Sequence, residues 1–170
     1  MSDLEITVAE THERVAIENL MQLYVHDFSE QWADQDRGEV GPDGLFEPYP
    51  LDPYWSDPDH IPLLVRRGGH LAGFALLDTH SHAGRAVDHN VAEFFILRKH
   101  RRGGVGLAAA QAIFARYPGV WEAAIARRNV GALHFWRKAA APYAEVEETD
   151  IVSDDWNGPV IRFRIGPPAD

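Results

Sequence analysis

The chain has 170 residues, 45% of them hydrophobic and 25% charged, which suits one globular domain over 1–170 with a sizeable core. Its net charge of −10 argues against a nucleic-acid partner, and its lack of cysteine rules out disulfides, thiolate metal sites and a cysteine-linked acyl intermediate. No apolar run approaches the ~18–20 residues of a membrane span, and the acidic start Met1–Glu5 lacks the order of a signal peptide, so a cytoplasmic protein is expected.

Leu4–Val8 alternates and is rich in β-formers, which predicts a first strand. Thr11 is placed to cap a helix. Ile17, Leu20, Met21, Tyr24 and Phe28 then recur at helical spacing, so an amphipathic helix is expected to about Phe28. From Glu30 to Asp59 there are nine acids against one base, Arg37. With its prolines and glycines, this stretch reads as a solvated, mobile loop with a short helix near Glu30–Asp36. A second reading makes it a wall that attracts a cation, with Trp32, Tyr49, Tyr54 and Trp55 to pack on it.

Ile61–Arg67 and His70–Leu77 flank Gly68-Gly69, a hairpin signal. Ala92–Leu97 is expected to be a central strand. Leu107–Tyr117 is alanine-rich and predicts a helix ended by Pro118-Gly119. Trp121–Ala126 reads as a buried strand and Val130–Ala140 as a helix. Tyr143–Thr149 and Val160–Ile165 read as the last strands. The order predicts an α/β (α+β) domain: one mixed, mostly antiparallel sheet of six or seven strands with helices on both faces. His80, His82 and His89 fall near Asp78 and Asp88 in a polar stretch, but that spacing is poor evidence for a metal, and none is expected.

Between the central strand and the alanine-rich helix lies Arg101-Arg102-Gly103-Gly104-Val105-Gly106-Leu107. The first N–H groups of a helix have no partner inside it and carry the positive end of its dipole. Glycines allow a ligand close to that backbone, and the two arginines add positive donors. The turn is therefore suited to an anion, above all a pyrophosphate. It lacks the lysine followed by serine or threonine of a Walker loop. It also lacks the spacing of a Rossmann dinucleotide turn.

Arg101, Gly104 and Gly106 match the [Gln/Arg]-x-x-Gly-x-[Gly/Ala] motif, with the aliphatic Ile96 five places earlier. Asn129-Val130-Gly131-Ala132-Leu133-His134-Phe135-Trp136-Arg137-Lys138 is similar to a second block, Asn-x-x-Ala-x-x-[Leu/Phe]-Tyr-x-Lys. Two ordered blocks at this separation resemble the GNAT N-acetyltransferase superfamily. The resemblance covers Ala92–Tyr143 well.

The resemblance implies a sheet whose central strands splay to hold acetyl-CoA, and direct transfer of the acetyl group to an amine. The acceptor would be a small-molecule or peptide amine, expected to be cationic on the charge of the Glu30–Asp59 stretch. Backbone groups of Phe95, Ile96 and Leu97 would meet the pantetheine arm. Those of Arg101, Arg102, Gly103, Gly104, Val105, Gly106 and Leu107 would hold the pyrophosphate. Asn129 and Phe135 would contact the cofactor from the other wall. Glu93 is the candidate base, with His89 and Glu122 as weaker ones. The usual tyrosine acid is replaced by Trp136, which leaves Tyr143 as the substitute. An acyl-CoA-binding module or sensor without transfer is the alternative. A homodimer through the C-terminal strands is a further implication of the family.

Overall fold

The computed structural model describes residues 3–166. Seven strands form one sheet: β1 (Leu4–Val8), β2 (Ile61–Arg67), β3 (His70–Asp78), β4 (His89–Ile96), β5 (Gly119–Ala124), β6 (Ala144–Val152) and β7 (Asn157–Ile165), in the order β1-β2-β3-β4-β5-β7-β6. All pairs are antiparallel except β4–β5, which is parallel. The helices are α1 (Arg14–Ser29), the single turn α2 (Pro53–Ser56), α3 (Val105–Arg116) and α4 (Val130–Ala140). The sheet agrees with the sequence expectation in strand number and type.

Strand alternation sorts the core into two faces. Ile17, Leu20 and Met21 of α1 meet Leu64, Phe74, Leu76 and Phe95 on one face. Ala110, Ile113 and Phe114 of α3 and Trp136 of α4 meet Leu77, Trp121 and Phe163 on the other. Phe114 and Trp121 stand edge to face at 4.8 Å, and Phe114 meets Phe163 likewise at 4.9 Å. Such pairs add specificity to the apolar burial that holds the helices on the sheet.

Two local expectations are corrected. Thr11 does not cap α1. It begins a 3-10 turn, Thr11–Glu13, in which the Glu13 carboxylate accepts from the Glu10 N–H at 3.0 Å. The Glu30–Asp59 stretch is largely solvated, as expected, but it is tied to the body of the fold. The helix expected near Glu30–Asp36 is only the 3-10 turn Glu30–Trp32, a further turn is α2, and Leu51 and Tyr54 are buried. The Gln22 amide on α1 clamps it, donating to the Phe46 carbonyl at 3.0 Å and accepting from its N–H at 2.8 Å. Scattered apolar residues without a period carried no sequence signal strong enough to reveal that docking.

Candidate active site

The site begins with a defect in the sheet. Pairing of β4 with β5 stops at Val91 and Ala123, while β4 runs on to Ile96. On its other side β4 carries a bulge, since Leu76 pairs with Glu93 but Leu77 with Val91, leaving Ala92 extra. A bulge bends its strand and increases twist, which turns β4 away from β5. Two adjoining cavities of about 490 and 410 Å³ occupy the resulting cleft. Tyr24, Phe28, Phe94, Asn129, Ala132 and Trp136 line both and mark their junction.

The ladder decides which β4 backbone groups face the gap. The Leu97 N–H donates to the Ala72 carbonyl at 2.8 Å, on the β3 side. Hydrogen-bonding sides alternate along an antiparallel strand, so Phe95 and Glu93 also present their peptide groups to β3. Those of Phe94 and Ile96 face the gap. The expectation for Phe95 and Leu97 is thereby corrected, because their peptide groups are turned toward β3 by the period of two. The Ile96 carbonyl is also taken, by Arg101 Nε at 2.7 Å.

Beyond β4 the chain turns through Gly103 (φ 82°) and Gly104 (φ 77°), left-handed conformations that glycine adopts without steric cost. α3 then starts with no side-chain cap, so its first N–H groups are open. A Cβ at Gly103 or Gly104 would meet nothing within 4 Å, which leaves the turn accessible to a large anion. The Val105 side chain is buried with Val65, Ala72 and Ile96 and anchors the helix start. Leu107 packs toward the main core. Arg102 is exposed. Arg101 differs from expectation: its guanidinium is bonded to the Asp27 carboxylate, which also accepts from Arg98 at 2.7 Å. Its side chain therefore ties the turn to α1 instead of lying loose for a phosphate.

Across the gap, Asn129 Oδ1 accepts from the Ala132 N–H at 3.1 Å, capping α4 and leaving Nδ2 for the cleft. Phe135 stacks on Phe94 at 5.6 Å and lines the smaller cavity with Arg101 and Gly106. Of the residues expected for the cofactor, Ile96, Arg101, Gly106, Asn129 and Phe135 line that cavity, while Gly103 and Gly104 shape the open helix start.

Glu93 lines the larger cavity. Burial raises its carboxyl to about 7, partly opposed by hydrogen bonds from the Tyr24 and Tyr49 hydroxyls and helped by the nearby charge of Asp78. That range suits a group exchanging protons near neutral pH. Tyr24 was read only as a helix-face residue, and nothing in its 3.6-residue period distinguishes it from core aromatics. Burial and then the nearby charge of Glu93 raise its hydroxyl well above the ordinary value, and its ring lines both cavities.

Other candidates fall outside the cleft. Tyr143 stacks on Phe163 at 5.7 Å and meets Phe114 edge-on, lining neither cavity. It precedes β6 in a turn, and its ring is part of the core packing. Glu122 is 0% exposed and spends its oxygens on Ser81 Oγ and the His82 N–H, each at 2.7 Å. It holds the 79–88 loop. His89 packs on Trp121 at 4.9 Å and lines neither cavity. Among the described residues no group of three or more acids and histidines could hold a metal ion, and no helix is long and apolar enough to cross a membrane.

Residues 17–140 match the Acetyltransferase (GNAT) family. The chain belongs to that family. It is an N-acetyltransferase, and acetyl-CoA is its acyl donor. Among solved structures it is similar to spermidine N-acetyltransferase from Vibrio cholerae in complex with CoA and spermine (15% identity, TM-score 0.60, 97% of each chain covered). It also resembles an aminoglycoside acetyltransferase in complex with coenzyme A and kanamycin (10% identity, TM-score 0.62, 95% of this chain and 94% of that one). The ribosomal-protein-S18-alanine N-acetyltransferase from Escherichia coli shares the fold at 11% identity (TM-score 0.57, 98% and 97% covered). No protein of curated function matches the sequence.

Proposed function

We propose that this acetyltransferase acts on a small-molecule or peptide amine by direct attack, with Glu93 as the base and Tyr24 as its proton partner. The observation that carries the reading is the position of Glu93 in the cleft. It lies in the cavity that adjoins the one running to the open start of α3, with Tyr24 between them. Acetyl-CoA supplies an activated acyl carbon. The α3 N–H groups and the Gly103–Gly104 turn suit its pyrophosphate. Asn129 and Phe135 flank its arm, and the Phe94 N–H is a donor for a carbonyl oxygen in the gap.

A cationic amine first releases one proton to solvent, and Glu93 takes the second as the neutral nitrogen bonds the acyl carbon. The carbon–sulfur bond breaks with its electron pair on sulfur. Tyr24 returns a proton to that sulfur and is replenished from Glu93. Tyr24 is buried and its pKa stands well above its ordinary value, by burial and then by the charge of Glu93, so it enters the cycle protonated. Asp78 and Glu93 supply negative charge and Tyr24, Tyr49 and Trp136 the aromatic faces that favour a cationic amine. Spermine and kanamycin, present with the two structural neighbours, are amines of this kind.

The acids of Glu30–Asp59 contribute less to this reading than the sequence implied. Asp34 pairs with Arg128 and Asp52 with Arg14. A cytoplasmic site of action goes with the proposal, since the donor is an intracellular metabolite. A homodimer through the C-terminal strands would bring β6 edges together. The acids there are individually neutralised, Glu145 by Arg164, Glu147 by Arg85 and Glu148 by Arg137, which lowers the repulsion between copies.

Trp136 supports the second reading, an acyl-CoA-binding module. It lines both cavities and carries no hydroxyl where the family motif has tyrosine. Thiol release from acetyl-CoA across a panel of amines separates the two. Turnover on any amine, lost in Glu93→Gln, supports transfer. Tight CoA binding without turnover supports the module.

A further inference from the structure

Asn90 Oδ1, His82 Nδ1 and Trp156 Nε1 are buried, have no hydrogen-bond partner among the described residues, and belong to residues lining the larger cavity. Asn90 is only 1% exposed. Its amide orientation is determined by chemistry. Asp78 Oδ1 receives Asn90 Nδ2 at 2.9 Å, and a carboxylate accepts only, so the NH2 faces Asp78 and Oδ1 faces elsewhere. A buried acceptor left without a donor is costly, so a donor belongs beside Oδ1.

Trp156 Nε1 is a donor only and calls for an acceptor. Its ring is held by His82, with centroids 4.5 Å apart. Arg37 lines the same cavity, its guanidinium 4.1 Å over the Trp32 ring. The neighbouring Arg127 and Arg128 are paired with Asp150 and Asp34. Arg37 has no carboxylate partner among the described residues. Arg37 and Trp156 also line the adjoining surface groove, so they stand at the mouth of the cavity.

The polarity of the cavity therefore reverses along its length. Strand alternation puts Asp78, Asn90 and Glu93 on one face of the sheet, the face of Leu76, where they form a floor of acceptors. The mouth presents the Arg37 guanidinium, with the unpartnered Trp156 Nε1 buried beside it. A purely cationic acceptor would satisfy the floor and leave the mouth unmatched.

We propose that the acceptor is an amine that also bears a carboxylate, with its amino group on Asn90 Oδ1, Asp78 and Glu93 and its carboxylate on Arg37 and Trp156. The inference rests on the acetyl-transfer reading and narrows its substrate class. The guanidinium fork matches a carboxylate in two parallel hydrogen bonds. Arg37 and Trp156 select the substrate, and the chemistry stays with Glu93.

The test compares the common L-amino acids with their decarboxylated amines, following thiol release from acetyl-CoA. At least one amino acid is expected to exceed its matched amine in kcat/KM by about tenfold or more. Arg37→Leu should collapse that ratio by about 10- to 100-fold through KM, the loss typical of one charged hydrogen-bonded contact. Trp156→Phe should reduce it less. Turnover confined to amines without a carboxylate, spermine and kanamycin included, overturns the inference and leaves acetyl transfer standing. An unchanged ratio in Arg37→Leu also overturns it. Absence of thiol release with every amine and amino acid tested removes both readings.

Discussion

The Asp27 carboxylate of α1 grips the guanidinium of Arg101, the residue that opens the glycine turn. Arg101 in turn donates to the Ile96 carbonyl at 2.7 Å. One side chain thus joins α1, the end of β4 and the turn leading to α3. Burial alone would raise the Asp27 carboxyl, but hydrogen bonds from Arg101 and Arg98 outweigh it and hold it below its ordinary range.

Asp27→Asn should loosen this junction. The arginines are substantially exposed, so the stability loss should be modest, about 1 kcal/mol by denaturant unfolding. The larger effect should be a rise of several-fold in KM for acetyl-CoA. Because the Asp27 pKa is depressed on folding, its contribution is present above the unfolded carboxyl pKa and fades as pH falls through the lower folded value. An unaltered KM would show that the turn keeps its shape without α1.

Glu93→Gln should lower kcat by about 10²- to 10⁴-fold, the usual worth of general base help. In the wild type, kcat/KM should rise with pH and level off above about 7, the value to which burial lifts this carboxyl. Tyr24→Phe should move the inflection upward, since it removes a hydrogen bond that favours the ionised form. A pH profile insensitive to Glu93→Gln would transfer the base role elsewhere.

The same carboxyl makes a stability prediction of opposite sign to the usual acid. A raised folded pKa means that the native state binds the proton more tightly than the unfolded state. Its stabilisation is complete below the unfolded pKa of about 4.5 and is lost as pH rises to about 7. Glu93→Gln should therefore gain on the wild type across that window, by up to about 3 kcal/mol. Parallel denaturation curves at pH 4.5 and pH 8 measure the difference.

Gly104→Ala should cost about 1–2 kcal/mol, because its backbone is left-handed. Gly104→Glu should add charge repulsion and abolish CoA binding, as read by calorimetry, with the fold retained. Retained affinity in Gly104→Glu would remove the pyrophosphate from this turn.

Gly73→Ala tests the cleft from behind. A Cβ there would overlap the Phe95 carbonyl oxygen and come within 3.0 Å of Ile96 Cα. Both are backbone atoms that cannot rotate aside. A loss of about 1–3 kcal/mol is expected from overpacking. Displacement of β4 should also raise KM for acetyl-CoA, while a variant with unchanged kinetics would show that β4 tolerates the shift.

Much of the framework was legible in the residue order. Ile17, Leu20 and Met21 announced α1 by their period, and the alanines after Leu107 announced α3. Arg101, Gly104 and Gly106 were legible because a glycine turn before a helix is a local device, written in nearly consecutive residues. Tertiary structure decided the rest. The free peptide groups fell to Phe94 and Ile96 because ladder register is set by β3. Arg101 became a tie because Asp27 arrives from a helix far away in sequence. Tyr143 left the site by packing on Phe163, and Glu122 by binding the 79–88 loop. Tyr24 entered it through Glu93. Sequence by itself determined the family and the glycine turn before α3, since both are written in short blocks of neighbouring residues. The acid–base pair and the polarity of the acceptor cavity depend on side chains that only folding brings together.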